Sequence, residues 1–131
     1  MNPVFWFELP AKDNKKLSSF YEKAFGWKPT VIGEGDSQYV IVHTSETDKD
    51  GMPKEGNRIN GGIYKLTKEN EECAKTPNIV LATSDIQKSV KDVQAAGGKI
   101  LKEPYEIPGY GMYFLFLDPE GNRCAVMQPK M

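Results

Sequence analysis

The same order of elements occurs twice along this 131-residue chain. Each half is predicted to run strand, helix, strand, strand, strand. Asp85, which is suited to cap the second helix, follows its counterpart Asp13 by 72 positions, and Gly98 follows the helix-ending Gly26 by the same 72. Any α+β chain can contain two capped helices, but here element order and offset agree together. Because two copies are too few for a solenoid, the repeat predicts two paired βαβββ modules.

The first module is predicted over 1–64. Its strands are expected at 4–9, 28–32, 38–43 and 58–64, with a long polar loop over 44–57. Its helix begins after Asp13 and ends before Gly26. Apolar residues recur along that helix at the spacing of one face, namely Leu17, Phe20, Tyr21, Ala24 and Phe25.

The second module is predicted over 76–131, after a charged connector. Its strands are expected at 78–83, 99–102, 111–117 and 123–128. Ser84 or Asp85 caps its helix, and the pair Gly97 and Gly98 ends it. The apolar stripe of this helix is Ile86, Val90 and Val93.

Charge and cysteine content exclude several classes of protein. With 17 basic and 18 acidic residues, the net charge of −1 provides no excess to neutralise phosphates, so we expect no nucleic-acid partner. No apolar run is long enough to span a membrane, and the N-terminus lacks the basic region of a signal peptide. Cys73 and Cys124 form no CxxC motif, which favours a reduced pair and a cytoplasmic protein over a disulfide.

Four short motifs resemble those of the vicinal oxygen chelate superfamily, which includes glyoxalase I, bleomycin-resistance proteins and extradiol dioxygenases. They are FELPA at 7–11, FYEKAFGW at 20–27, AAGGK at 95–99 and DPEGN at 118–122. The resemblance covers nearly the whole chain. It implies an α+β fold in which two βαβββ modules form one curved mixed sheet with a central cup, as a single domain over 1–131. It also implies a homodimer.

The chemistry of that superfamily usually depends on a divalent metal held by four side chains. Matched by spacing, the first, third and fourth ligand positions are Trp6, Asn78 and Ala125, and the second lies between Asn60 and Gly62. A catalytic metal ion needs about three N, O or S ligands from the protein. Since Trp and Ala provide none, we expect neither a metal nor any other cofactor.

The alternation of strand residues indicates which side chains face the cup. If Trp6 does, so does Glu8, and Tyr39 shares one face of its strand with His43. Aromatic and methionine side chains suit a flat, partly apolar ligand. The predicted ligand-binding residues are therefore Trp6, Glu8, Tyr39, His43, Asn78, Tyr110 and Met112, with no catalytic residue assigned.

Three functions remain open at this stage. The first is metal-free binding of a small organic molecule, as in bleomycin-resistance proteins. The second is a metal-dependent lyase, isomerase or dioxygenase related to lactoylglutathione lyase, or an enzyme in which Glu8 or His43 transfers a proton without metal. Against that role, Glu8 could be a rim carboxylate that is solvated or paired with a lysine or Arg123, and His43 could simply be exposed or hydrogen-bonded. The third is an interaction module whose cup is vestigial.

Overall fold

The computed structural model describes residues 1–72 and 74–130, so predictions about Cys73 lie outside the described residues. The chain forms two compact units. One is Trp6–Pro77, and the other combines Met1–Phe5 with the residues from Asn78 onward. That both modules make up a single domain stays a prediction.

The unit Trp6–Pro77 contains one helix and four strands. They are β1 (Val4–Ala11, which starts in the other unit), α1 (Asn14–Phe25), β2 (Lys28–Ile32), β3 (Tyr39–His43) and β4 (Asn60–Lys65), with a 3₁₀ turn at Gly35–Ser37. The strand order is β2-β3-β4-β1, in which β1 runs parallel to β4 and the other neighbours are antiparallel.

The second unit repeats this arrangement. It contains β5 (Asn78–Ala82), α2 (Ile86–Ala95), β6 (Lys99–Ile107), β7 (Gly111–Leu117) and β8 (Arg123–Pro129). The strand order is β6-β7-β8-β5, again with one parallel pair, β5 and β8. The predicted α+β class with two βαβββ modules is therefore confirmed.

Both helices begin with the same cap. The Asp13 carboxylate accepts a hydrogen bond from the Lys16 N–H at 3.0 Å, and Asp85 accepts one from the Lys88 N–H at 3.1 Å. The helix ends differ. Gly26 ends α1 in a left-handed conformation at φ 75°, whereas after α2 that conformation falls on Gly97, one residue earlier than the offset of 72 suggests.

Strand β6 is more than twice as long as the predicted 99–102. It continues to Ile107 because it pairs with β7 along its length, with shifts in register on both sides of Lys102. A strand at the outer position of a sheet tolerates such irregularities, and it tolerates the proline at position 104, because one side of its backbone needs no partner strand.

Each helix covers a small apolar core on one face of its strands. Under α1 the buried residues are Ala11, Val40, Val42 and Ile63, with Phe7, Leu17 and Trp27 packed around them. Under α2 they are Ile86, Val90, Phe114, Phe116, Cys124 and Val126, with Met112 among their neighbours. Cys124 is a free, buried thiol.

The apolar stripe of α1 is only partly buried. Leu17 packs on the core, but Phe20 is 55% exposed and Phe25 is 68% exposed. Tyr21 stacks on Trp27 with ring centroids 4.5 Å apart. The stripe therefore ends in an exposed aromatic cluster. Among the described residues, no helix is both long and apolar enough to cross a membrane.

Candidate functional site

The candidate site lies on the face of the first unit's sheet that points away from α1. Phe7 and Ile63 pack on the α1 core, so the alternating residues of their strands face the other side. Strand β1 contributes Trp6 and Glu8 to this surface, and β4 contributes Gly62. We call this surface the Trp6 face; its members are Trp6, Glu8, Tyr39, Ile41, His43, Asn60, Gly62 and Tyr64.

A chain of hydrogen bonds connects three side chains of the Trp6 face. The Trp6 indole Nε1–H donates to the Tyr39 hydroxyl at 2.9 Å. The Tyr39 hydroxyl donates in turn to Oε2 of Glu8 at 3.1 Å. Tyr39 belongs to β3 whereas its two partners belong to β1, so the tyrosine side chain reaches across the intervening strand β4. Three of the predicted ligand-binding residues are therefore in direct contact.

The absence of a side chain at Gly62 makes this crossing possible. A Cβ atom built on Gly62 would overlap the hydroxyl oxygen and two ring carbons of Tyr39. Gly62 lies directly opposite Glu8 on β1 and Ile41 on β3. The tyrosine ring thus lies against the bare β4 backbone, between strands β1 and β3. The sequence predicts that Gly62 lies in a strand, but it does not predict this contact with Tyr39.

Burial sets the protonation of the tyrosine. Desolvation, and next the nearby Glu8 carboxylate, raise the pKa of Tyr39 well above its ordinary value of 10.0. Glu8 itself is only 5% exposed. At neutral pH the phenol is a neutral donor to Glu8 and an acceptor for the indole.

Asn60 is the most deeply buried polar residue of the Trp6 face, at 1% exposure. Its Oδ1 accepts from the Thr44 N–H at 2.9 Å, and its Nδ2 donates to the Thr47 hydroxyl at 3.3 Å and to the Gly51 carbonyl at 3.4 Å. Asn60 stands opposite Trp6 in the β1–β4 register. The amide therefore holds the polar loop 44–57 at the edge of the Trp6 face.

His43 lies at the far end of β3 from Tyr39. It pairs with Lys28 of β2, four residues along the strand from the tyrosine, which corresponds to roughly 13 Å. His43 shares the Trp6 face, as alternation predicts, but the structure does not place it in the hydrogen-bond chain of Trp6, Tyr39 and Glu8.

In the second unit, the predicted site residues are scattered. Asn78 is 4% exposed and its Nδ2 donates to the Ile79 carbonyl at 3.3 Å. Tyr110 is 45% exposed in the turn between β6 and β7. Met112 is partly buried and packs on the α2 core, and its role in ligand binding stays a prediction. Its neighbour Tyr113 points to the opposite face, where it meets Tyr105 at 5.6 Å between ring centroids.

The strand registers identify the uncertain second ligand position. In the first unit Glu8 pairs with Gly62, and in the second unit Val80, which follows Glu8 by 72 positions, pairs with Ala125. Gly62 is therefore the counterpart of Ala125. Gly61 is excluded because a Cβ there would overlap the Phe7 ring on the α1 side.

These four positions do not fit a divalent metal. Gly62 and Ala125 have no donor atom, and the Trp6 indole has an N–H but no lone pair for a metal. Asn78 offers a single neutral amide. Nowhere in residues 1–72 and 74–130 do three or more His, Cys, Asp or Glu side chains come together. The donor set thus disagrees with the metal chemistry that the motifs imply.

A separate concavity of about 570 Å³ lies elsewhere in the first unit. It is an open groove lined by Pro10, Lys12, Leu66, Glu71, Glu72, Ala74 and Lys75. None of the predicted site residues lines it. No sequence pattern indicates this groove, because most of its lining comes from the charged connector, which has no regular pattern.

The motifs and the topology are those of one protein family. A sequence model of the Glyoxalase/Bleomycin resistance protein/Dioxygenase superfamily matches residues 4–126. The chain therefore belongs to this superfamily, as its motifs indicate.

Relatives in the family have diverse names. The chain is 30% identical over 131 residues to a lactoylglutathione lyase of Oryza sativa, covering 95% of this chain and 44% of that protein. It is 26% identical over 124 residues to the anthracycline biosynthesis protein DnrV of Streptomyces peucetius, covering 92% and 45%. The chain thus spans less than half the length of these two curated relatives.

Solved structures show the same fold. A methylmalonyl-CoA epimerase in complex with methylmalonyl-CoA and NH4⁺ matches with a TM-score of 0.72 at 14% identity, covering 98% of this chain and 95% of that one. The methylmalonyl-CoA epimerase of Mycobacterium tuberculosis matches with a TM-score of 0.70 at 10% identity, covering 98% and 88%. At such identities the likeness shows the fold alone.

Proposed function

We propose that this chain binds a small organic molecule on the Trp6 face without using a metal ion. The observation that carries the proposal is the hydrogen-bond chain from Trp6 through Tyr39 to Glu8. The first ligand position of the family is occupied here by the indole of Trp6. The second position is Gly62, and the ring of Tyr39 lies over it. Aromatic surfaces with one buried carboxylate are suited to recognise a flat molecule that has a polar substituent.

The burial of Glu8 supports a binding role. A carboxylate at 5% exposure has lost most of its hydration, which costs free energy in the folded state. An apolar residue of similar size would fill the same space at lower cost. A buried carboxylate at the family's functional face is better explained by recognition of a ligand than by stability.

Metal analysis of the untagged protein tests the metal-free part of the proposal. After dialysis against a mixture of Zn²⁺, Ni²⁺, Fe²⁺ and Mn²⁺, we expect well under one ion per chain by mass spectrometry. One tightly held ion per chain would contradict the proposal, because it would require ligands other than the four matched positions.

A ligand screen tests the binding part. Aromatic molecules with and without polar substituents are tested by thermal shift on the wild-type protein, and each hit is retested on Trp6→Ala and Glu8→Gln. We expect hits whose affinity falls in both variants. The matched control is Glu120→Gln, which makes the same change as Glu8→Gln at an exposed residue of the other unit. Hits that bind all variants equally would contradict a site on the Trp6 face.

An enzymatic function is the second candidate. The favouring observation is the buried Glu8 carboxylate, which the Tyr39 hydroxyl holds by a hydrogen bond and which is a group of the kind that accepts protons in enzymes. Names of relatives and neighbours, lactoylglutathione lyase and methylmalonyl-CoA epimerase, suggest lyase or epimerase assays. Turnover that is lost in Glu8→Gln while ligand affinity is kept would favour the enzyme.

A third candidate is an interaction module that has lost its ligand site. It is favoured by the contact of Tyr39 with Trp6 and Gly62, which fills space on the Trp6 face. The ligand screen separates it from the first candidate, because a vestigial site gives no hit that depends on Trp6 or Glu8.

Self-association and location complete the proposal. The exposed Phe20 and Phe25 of α1 support a homodimer, because exposed aromatic side chains favour association. Light scattering on the purified chain tests this, and a monomer at micromolar concentration would contradict it.

The free thiol of Cys124 supports a cytoplasmic location, which fractionation of cells tests.

A further inference from the structure

We infer that the space filled by Tyr39 is a subsite for an aromatic ring bearing a hydroxyl group, and that Tyr39 is its internal occupant. The floor of this subsite is Gly62, and its two polar ends are Trp6 and Glu8. This inference rests on the proposed function, whose ligand class it specifies.

The polar groups of the subsite select for a hydroxyl. One atom, the phenol oxygen, accepts from the Trp6 N–H and donates to the Glu8 carboxylate. Among common ligand groups, a hydroxyl both donates and accepts at a single atom, whereas an ammonium only donates and a carboxylate only accepts. A ligand hydroxyl placed there would reproduce both bonds.

The shape of the subsite selects for a flat ring. Gly62 has no Cβ, so the ring that lies on it contacts the β4 backbone directly. A buckled aliphatic ring is thicker than an aromatic one and would have to stand further from the strand. The width between β1 and β3 is two strand spacings, roughly 10 Å, which suits a ring of tyrosine size.

The position of Tyr39 allows it to leave. It is the first residue of β3, directly after Gln38 and the short 3₁₀ turn Gly35–Ser37. Rotation about its first side-chain torsion takes the ring away from Gly62 while the β3–β4 pairing stays intact. Because a ligand phenol would restore the two hydrogen bonds that Tyr39 gives up, the exchange costs little in hydrogen bonding.

The effect of removing the Tyr39 side chain on ligand affinity depends on whether that side chain lines the site or occupies it. A side chain that forms the wall of a site lowers affinity when it is removed. A side chain that occupies the site competes with the ligand, so its removal raises affinity. Truncation of Tyr39 therefore separates the two roles by the direction of the change.

The experiment measures phenol and benzene binding to the wild-type chain and to Tyr39→Ala, which lacks a phenol group at this position. By calorimetry we expect phenol to bind Tyr39→Ala at least about tenfold more tightly than wild type, and more tightly than benzene, which leaves the Trp6 N–H and Glu8 without their hydroxyl. Equal or weaker phenol binding to the folded variant would overturn the inference. So would equal affinity for phenol and benzene, since the space would then be merely apolar.

Tyr39→Phe gives an independent test if Tyr39→Ala does not fold. Its ring still fills the space over Gly62 but has neither hydrogen bond, so a ligand displaces it more easily. We expect phenol to bind Tyr39→Phe more tightly than wild type, and unchanged or weaker binding overturns the inference.

The outcomes also separate this inference from the proposed function. A wild-type ligand that depends on Trp6 and Glu8 but binds no better to either Tyr39 variant keeps the proposed function and rejects the internal occupant. Tight phenol binding to Tyr39→Ala, together with no wild-type ligand in the screen, rejects the proposed function alone.

Discussion

The hydroxyl of Tyr39 reaches Glu8 across strand β4 because Gly62 leaves the β4 backbone bare beneath the tyrosine ring. This relationship links three adjacent strands through one side chain. It also puts an aromatic ring over one of the family's ligand positions, Gly62, and hydrogen-bonds it to another, Trp6. The same contact can stabilise the unit and occupy a ligand subsite.

Gly62→Ala tests the crossing. The new methyl group overlaps the Tyr39 ring, so the ring must move and both of its hydrogen bonds break. We expect the free energy of unfolding to fall by about 1–3 kcal/mol in urea denaturation, the usual cost of an overpacked site.

Two variants serve as controls for this effect. Gly56→Ala meets no atom within 4 Å, so its stability should stay close to that of the wild type. In Tyr39→Ala, where no ring is displaced, adding Gly62→Ala should cost much less than it does alone. Additive costs in this double-mutant cycle would show that Tyr39 does not lie over Gly62 in solution.

The stability of the chain should depend on Tyr39 at alkaline pH. Burial, and next Glu8, raise the pKa of Tyr39 in the folded state above the value of 10.0 that applies when unfolded. As pH rises through 10, the unfolded chain loses this proton first, so the free energy of unfolding falls, by up to about 1.4 kcal/mol per pH unit. The stabilisation that comes from protonated Tyr39 is fully present below pH 10 and is lost as the pH rises through the folded-state pKa of Tyr39.

Tyr39→Phe is the comparison for this titration, because the other tyrosines ionise in both proteins. Urea denaturation between about pH 9 and 11 should show a shallower loss of stability for Tyr39→Phe than for the wild type. Parallel curves would mean that the phenol is solvated in the folded state.

Asn60→Ala should release the polar loop. It removes the acceptor for the Thr44 N–H and the donors to Thr47 and Gly51. Leaving such groups without partners costs about 1–3 kcal/mol. We expect faster tryptic cleavage after Lys49 or Lys54, followed by mass spectrometry, and a smaller increase for Thr47→Ala, which loses one of the three bonds. Cleavage at the wild-type rate would show that Asn60 does not hold the loop.

Cys124 should react slowly. The thiol is buried at 8% exposure, and desolvation, with a smaller effect of Asp118, raises its pKa. In Cys73→Ser, which leaves one thiol, iodoacetamide labelling near pH 8 should be far slower in native buffer than in urea. Equal rates would indicate an accessible Cys124 and contradict the buried core position.

Much of the fold could be predicted from local patterns. Asp13 and Asp85 cap their helices as expected, because an N-cap needs only a side-chain acceptor and the next three residues. The length of β6 could not be predicted from local patterns, since its extension depends on pairing with β7 and not on its own sequence. That Met112 packs on the α2 core could not be predicted either, because the phase of strand alternation is set by which residues pack under α2.

For the candidate site, residue types alone show which metal-binding chemistry is missing. Trp6 and Ala125 at matched ligand positions exclude the usual metal donors whatever the chain's detailed path, because donor atoms belong to residue types. The sequence also predicts that Trp6 and Glu8 share a face, since that follows from the two-residue period of a strand. The tertiary structure alone decided that Tyr39 joins them. That contact spans three strands and depends on the register that puts Gly62 opposite both Glu8 and Ile41. Register is set by pairing between segments that are distant in the sequence, and Glu8 and Gly62 are more than fifty residues apart.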